Sequence, residues 1–138
     1  YASTREQFGK KIGVYQAVSH PLADAYTRLE LSRSLALWAA WCVATGDPQA
    51  SLAAAAAKAY AADAAVGVCE TAIQTLGGIG FTWEHDAHRL YKRALGIQSF
   101  AGSGTRLRAE VAAALLNGRD ESEPGVPVVG AAPVEQGG

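Results

Sequence analysis

Apolar side chains recur every three to four residues between residues 17 and 45. The positions in this series are Val18, Leu22, Tyr26, Leu29, Ala36 and Ala40. This spacing places them on one side of a helix, so we predict an α-helix over residues 17–45. Pro21 is compatible with the helix only near its beginning, where its missing N–H falls among the first unpaired donors.

The sequence Gly46-Asp47-Pro48 separates this helix from a second one. A glycine that ends a helix, an aspartate N-cap and a proline at the first helical position predict a tight turn between antiparallel helices. The second helix is predicted from Pro48 to about Leu76, with small alanines at residues 53–57 that let a neighbouring helix approach closely. The positions expected on its buried side are Leu52, Ala56, Ala59, Val66, Cys69, Ile73 and Leu76.

A glycine-rich break at residues 77–80 ends the second helix, because glycine has low helix propensity and no side chain to pack. Two shorter helices are predicted over residues 84–96 and about 103–116, and no segment has a convincing strand pattern. The predicted fold is an all-α, antiparallel, up-down four-helix bundle over residues 1–118. Residues 119–138 are rich in Pro, Gly and Glu and poor in apolar types, which predicts a disordered tail.

Composition narrows the possible classes of protein. A chain of 138 residues with 49% hydrophobic content fits one domain with a real core, and a net charge of −1 gives no indication of a nucleic-acid partner. No signal peptide opens the chain and no window approaches the roughly 20 uncharged residues of a bilayer span, so we expect a soluble cytoplasmic protein. Cys42 and Cys69 lack CxxC or CxxH neighbours and are interpreted as small core residues. Because Tyr1 follows no start methionine, we interpret the chain as a fragment.

Two motifs carry a resemblance to a known family. Residues 5–12 read R-E-Q-F-G-K-K-I and are followed by Tyr15-Gln16, while residues 74–81 read Q-T-L-G-G-I-G-F. They resemble the R-x-(Q/T)-F-G…Q and Q-x-x-G-G-x-G-(F/Y) segments of acyl-CoA dehydrogenases, at the correct separation, and the stretch through Arg108 matches without a gap. The resemblance covers residues 1 to about 117 and implies the C-terminal helical domain of such an enzyme.

In that family this domain supplies half of each FAD site and most of the oligomer interface. The resemblance therefore implies FAD as cofactor, an acyl-CoA substrate, and a homo- or hetero-oligomer with a related subunit. An arginine offers a planar fork of donors for a pyrophosphate, a phenylalanine can lie against a flat ring, and glycines allow close backbone approach to phosphate. The residues that the resemblance assigns to the cofactor are Arg5, Gln7, Phe8, Gln16, Gln74, Gly77, Gly78, Ser103 and Thr105.

The position of the family's catalytic base holds no carboxylate. In many members a Glu of a Y-E-G-T segment removes the α-proton of the acyl-CoA while a hydride passes to the flavin, and the match places Phe100-Ala101-Gly102-Ser103 there. Ala101 cannot accept a proton, and Gly102 is assigned to substrate binding. Three explanations are open: a base upstream of Tyr1, a degenerate site in one subunit of a heteromer, or a non-catalytic assembly module. We favour the second slightly, because residues 101–105 resemble such subunits in actinobacterial sterol-side-chain dehydrogenases.

A local basic stretch lies on the predicted third helix. Arg89, Lys92 and Arg93 share one face of it, which is typical of a solvated or interface surface. His85 and His88 lack the third ligand that a metal site needs, and His20 has no Ser or Asp partner at a useful spacing. We therefore expect no metal site and no catalytic histidine.

Overall fold

The computed structural model describes residues 1–117, and the predicted tail at 119–138 lies outside them. The helices are α1, Gln16–Thr45; α2, Ala50–Leu76; α3, Ala87–Ser99; and α4, Gly104–Asn117. Short 3₁₀ turns lie at Ile12–Val14 and Gly77–Phe81, and a hairpin pairs strand β1, Glu6–Gln7, with strand β2, Lys10–Lys11. The all-α prediction with four helices is confirmed. The third helix begins and ends three residues later than predicted.

The expectation that the chain has no strand is wrong at the hairpin. Glu6 pairs with Lys11 and Gln7 with Lys10 in antiparallel register. Phe8 and Gly9, between the strands, have φ values of 52° and 74°, the left-handed values of a two-residue type I′ turn. Two-residue strands are too short to show an alternating pattern, so the sequence gives no period-2 signal.

The predicted glycine end of α1 is confirmed, whereas the N-cap of α2 is Gln49 and not Asp47 as predicted. Gly46 is left-handed, at φ 68° and ψ 27°. The N–H of Asp47 donates to the carbonyl of Cys42 at 2.9 Å, and that of Gly46 to Val43 at 3.4 Å, the bond pattern of a Schellman cap. The Asp47 carboxylate accepts from the N–H of Gln49 at 2.8 Å, and α2 begins at Ala50 instead of Pro48.

Helix α2 is the central helix of the fold. It packs against each of α1, α3 and α4, whereas those three helices make few contacts with one another within residues 1–117. The packed side chains are small, because the alanines of α2 let its neighbours approach closely. The buried apolar residues are Ala25, Cys42, Ala53, Ala57, Ala59, Ala62, Ala64, Ile73, Ala87, Ala94 and Leu107.

The predicted buried stripes are therefore correct only in part. Ala59 and Ile73 of α2 are buried, and the other five predicted positions of that helix, Cys69 included, are half-buried. In α1, Val18 and Leu22 are half-buried, but the later positions face solvent, and Ala25 and the predicted core residue Cys42 are buried instead. The reason is that α1 meets one partner, α2, and meets it through small residues. The α1 positions that are exposed against prediction are Tyr26, Leu29, Ala36 and Ala40.

Large apolar side chains remain on the surface. Trp41 is 58% exposed, Trp83 84% and Phe100 73%. A crevice of about 540 Å³, lined almost entirely by apolar atoms, lies between α1, α2 and α3. Among the described residues, the segment Ala50–Phe81 is long and apolar enough to meet a membrane-span criterion, which core helices of globular proteins also meet.

Candidate functional site

The hairpin presents the first group of candidate residues. Its base is fixed by main-chain bonds, from the N–H of Ile12 to the carbonyl of Arg5 and from that of Gly13 to Ala2, both at 2.9 Å. The Tyr15 hydroxyl also donates to the carbonyl of Gln7 at 3.1 Å. The backbone at Arg5 and Gln7 is therefore held locally, and their side chains are left exposed.

The side chains of this group face solvent. Phe8, at the tip of the hairpin, is 93% exposed. The Arg5 guanidinium makes no ion pair within residues 1–117. The Gln7 amide donates to the carbonyl of Glu6 at 2.9 Å, so one of its two N–H donors is used locally. The group offers a cation, an aromatic face and part of an amide to a ligand.

Gln16 and Gln74 lie at the same end of the α1–α2 pair. Gln16 is the first residue of α1, and Gln74 is in the last turn of α2. A recess of about 420 Å³ lies between these helix ends. Its lining residues are Ala17, Val18, Pro21, Glu70, Thr71, Gln74 and Thr75. The antiparallel turn thus brings the two sequence motifs to one end of the molecule.

Each glycine of the 77–80 segment has a different role. Gly77 caps α2 at φ 64°, and its N–H donates to the carbonyls of Ile73 and Gln74, so this amide is not available to a phosphate. Gly80 is buried, and a Cβ there would lie 3.1 Å from the carbonyl oxygen of Ile73. A Cβ on Gly78 would meet nothing within 4 Å. Gly78 is the one of the three that neither capping nor packing explains.

The third group lies at the turn between α3 and α4. Ala101 and Gly102 both have positive φ, 59° and 110°. The Ser103 hydroxyl accepts from the N–H of Arg106 at 3.3 Å, as expected of the N-cap that the sequence predicts. Thr105 follows in the first turn of α4, and Ala101, Ser103 and Thr105 are exposed.

A polar cluster on α2 was missed by sequence reasoning. Asp63 accepts a hydrogen bond from the Gln98 amide at 2.9 Å through one carboxylate oxygen, and its other oxygen pairs with Arg108. The Lys58 ammonium donates to the carbonyl of Gln98 at 3.5 Å. The bond from Gln98 and that from Arg108 lower the pKa of the Asp63 carboxyl, and the charges of Arg108 and Lys58 act in the same direction. The available signal was an isolated acid inside an alanine-rich helix.

The candidate residues form two groups along α2. Ser103 and Thr105 line a recess of about 340 Å³ together with Asp63. Gln74 is eleven positions beyond Asp63, which corresponds to about 16 Å along the helix axis. A single small ligand does not span this distance, so an elongated ligand or two copies of the chain would be needed to engage both groups.

The basic stretch on α3 is exposed on the surface of the domain, as expected. Arg89, Lys92 and Arg93 are exposed, and Arg89 pairs with Asp86 at 3.0 Å. His88 is buried against the edge of the Trp83 ring, with centroids 4.8 Å apart. Within residues 1–117 no three His, Cys, Asp or Glu side chains cluster as a metal site would require.

The fold built from these elements is that of the C-terminal domain of the acyl-CoA dehydrogenases. A model of that domain matches residues 1–116, and the chain belongs to this family. Among its relatives is the acyl-CoA dehydrogenase FadE34 of Mycobacterium tuberculosis, 50% identical over 110 residues, which are 78% of this chain and 16% of that protein.

Solved structures agree with this assignment. An FAD-dependent dehydrogenase superposes with a TM-score of 0.78 at 34% identity, over 83% of this chain and 31% of that one. One chain of the ChsE4-ChsE5 complex of Mycobacterium tuberculosis gives a TM-score of 0.76 at 33% identity, over 90% of this chain and 32% of that one. The chain thus spans a third or less of the length of each of these proteins.

Proposed function

We propose that the chain is the cofactor-binding and assembly domain of an FAD-dependent acyl-CoA dehydrogenase, acting on an acyl-CoA thioester in the cytoplasm. The observation that carries the proposal is the position of the two motifs at one end of the α1–α2 pair, inside a domain that matches the family model. The net charge of −1 gives no support for a nucleic-acid or acidic-membrane partner.

The exposed groups fit the parts of FAD. Arg5, which makes no ion pair with any described residue, provides a guanidinium for the pyrophosphate, and Phe8 an exposed face for a planar ring. Gly78 leaves open space where a phosphate could approach the backbone. Ser103 and Thr105 lie at the N-terminal end of α4, a 14-residue helix whose dipole favours an anion there. When bound, the flavin supplies the hydride acceptor, and the residues of this chain orient and retain it.

Gln7, Gln16 and Gln74 complete the set as neutral hydrogen-bonding groups. Gln74 lines the recess between the helix ends, and Gln16 is exposed one residue before its lining residue Ala17, so both lie near a ligand that would occupy the recess. Gly77 serves indirectly in this scheme, because it ends α2 and thereby sets the path of the backbone at Gly78.

Assembly with a second subunit is part of the proposal. The two groups of candidate residues are about 16 Å apart along α2, and large side chains such as Trp41 and Trp83 remain exposed. The chain also resembles one subunit of the ChsE4-ChsE5 complex. Light scattering should show a dimer or larger species at micromolar concentration. A clean monomer without dye-accessible apolar surface would contradict this part of the proposal.

Ala101 leads to a more specific proposal. The active site of this subunit lacks the catalytic base, and a partner subunit performs the proton abstraction. A methyl group cannot take a proton, and a positioned general base contributes roughly 10²–10⁴-fold. Gly102, next to it, would border the substrate. The intact protein should be expressed with and without a related partner subunit, and flavin bleaching followed after addition of acyl-CoA.

The outcomes of this experiment separate the alternatives. Bleaching only in the mixed complex supports a degenerate subunit, whereas rapid bleaching in the single protein supports a base elsewhere in the intact chain. If that bleaching survives neutralisation of every Asp and Glu near the flavin, the interpretation of Ala101 is wrong. No flavin in either preparation supports the non-catalytic assembly module.

The cofactor assignment can be tested with two matched glycine substitutions. Gly78→Val places a side chain in the open space of the glycine-rich segment, and Gly96→Val does the same on α3, where a Cβ also meets nothing within 4 Å. We expect Gly78→Val to lose most of its bound FAD and Gly96→Val to retain it, measured as the ratio of flavin to protein absorbance. Wild-type flavin content in Gly78→Val would show that the segment does not contact the cofactor.

A further inference from the structure

We infer that Asp63 is a positioning residue that sets the α3–α4 turn, and with it Ser103 and Thr105, against α2. The part of this inference that concerns FAD rests on the proposed function. Asp63 does not itself touch the ligand in this scheme. It acts through the helix ends on either side of the turn.

The geometry shows three helices meeting at one carboxylate. One oxygen of Asp63, on α2, accepts from Gln98, in the last turn of α3, and the other pairs with Arg108, in the second turn of α4. Gln98 lies two residues before the turn residue Phe100, and Arg108 three residues after Thr105. A single side chain therefore holds both ends of the connection.

The turn needs such an anchor because its own interactions are weak. Helices α3 and α4 make few contacts with each other and are related chiefly through α2. Ala101 occupies a left-handed conformation that a non-glycine residue adopts only at a cost, so the surroundings must maintain it. The Ser103 cap reaches three residues along its own helix and gives no link to α2.

The path of the Arg108 side chain is also constrained. It passes beside Gly104, where an added Cβ would lie 3.1 Å from one guanidinium nitrogen and 3.2 Å from the other. A side chain at residue 104 would crowd the Arg108 guanidinium on its path across the first turn of α4 to Asp63. The recess beside this crossing is the one that Ser103 and Thr105 line.

The experiment compares Asp63→Asn, which removes the charge, with Asp63→Glu, which keeps it, in the intact protein. Asp86→Asn is the matched control, since Asp86 pairs with Arg89 at 3.0 Å on the surface before α3. Amide hydrogen exchange of the apoprotein reports on the turn, FAD titration on the cofactor, and thermal unfolding on the overall fold. The turn amides to follow are the hydrogen-bonded ones, those of Phe100, Arg106 and Leu107. Should Asp63→Asn fail to fold, Arg108→Gln removes the same ion pair from its exposed partner.

We expect Asp63→Asn to speed exchange at the hydrogen-bonded turn amides and to weaken FAD binding roughly two- to fivefold, the size of effect that loss of a partly exposed ion pair gives. Asp63→Glu should recover most of the affinity, and Asp86→Asn should change neither readout. Unchanged exchange in Asp63→Asn overturns the inference. Faster exchange with unchanged FAD affinity overturns the link to the cofactor. A wild-type protein that binds no FAD contradicts the proposed function, while the exchange data still judge the role of Asp63.

Discussion

The hairpin at residues 6–11 and the turn at residues 100–103 share an unusual backbone conformation but are stabilised in different ways. Each places a non-glycine residue with positive φ before a glycine, Phe8 before Gly9 and Ala101 before Gly102. The hairpin is secured within the first fifteen residues by main-chain bonds and by one bond from the Tyr15 hydroxyl. The turn is secured by the side chain of Asp63, about forty residues away in sequence, which bonds Gln98 on one side of it and Arg108 on the other. The first segment is therefore locally determined, and the second depends on the packing of α2.

This difference predicts that the two segments respond differently to pH and salt. Main-chain bonds do not depend on the protonation of any side chain, so the hairpin should keep its shape as pH and salt change. A partly exposed ion pair is screened by salt and lost when its carboxylate is protonated. The presentation of Arg5 and Phe8 should thus be robust, and that of Ser103 and Thr105 conditional.

The largest expected effect concerns the chemistry of the turn. Ala101→Glu places a carboxylate where the proposed function finds none, and Ala101→Gly is the matched control without one. In the FAD-loaded protein we expect Ala101→Glu to bleach the flavin with acyl-CoA at least about 10²-fold faster than the wild type. Equal rates in both variants would mean that this position does not face the reacting carbon of the substrate.

The second prediction concerns the contact between Gly13 and Ala2 at the base of the hairpin. A Cβ on Gly13 would lie 2.9 Å from the backbone oxygen of Ala2, which cannot move aside as a flexible side chain can. Gly13→Ala should therefore destabilise the N-terminal segment by roughly 1–3 kcal/mol. Amide exchange at Ile12 and Gly13 measures this loss. Gly78→Ala is the control, because its Cβ meets nothing within 4 Å, and it should leave exchange in the hairpin unchanged.

The third prediction is a dependence of the turn on acid. The folded structure lowers the pKa of Asp63, through Gln98 and Arg108 first and then through the charge of Lys58, while Arg28 lines the neighbouring cavity. A lowered pKa contributes stability above the unfolded value of about 3.9, and this contribution is lost as pH falls through the folded value. Exchange at the hydrogen-bonded turn amides of Phe100, Arg106 and Leu107, corrected for intrinsic rates, should rise below about pH 4, whereas exchange in the hairpin should not. Equal responses of the two segments would refute the distinction between them.

The sequence was most informative where structure is set locally. The Gly46-Asp47-Pro48 turn was predictable because its bonds join residues within a few positions of one another. The Ser103 cap was predictable for the same reason. The buried face of α1 was not, because it depends on which side α2 occupies and on the packing of alanines that carry little periodic signal.

The features of the candidate site that the sequence could not predict have a similar cause. The two motifs lie at the same end of the α1–α2 pair, since an antiparallel pair of helices returns the chain to its starting end. The commitment of the Gly77 amide to its own helix was not visible in the sequence, because it depends on the φ of that residue. The role of Asp63 needed the positions of α3 and α4 relative to α2, which no local pattern contains.

The smallest expected effect compares the two strained residues directly. The left-handed conformation costs an L-residue roughly 1–2 kcal/mol, while glycine adds about 0.4–1 kcal/mol of entropy to the unfolded chain, so Ala101→Gly should stabilise its segment by up to about 1 kcal/mol. Phe8→Gly should give a similar gain, since a side chain that is 93% exposed loses no packing. FAD titration then separates the two: Phe8→Gly removes an aromatic face and should weaken binding, whereas Ala101→Gly should leave it unchanged. If both variants bind FAD as the wild type does, the left-handed phenylalanine at the hairpin tip has a function other than contact with the cofactor.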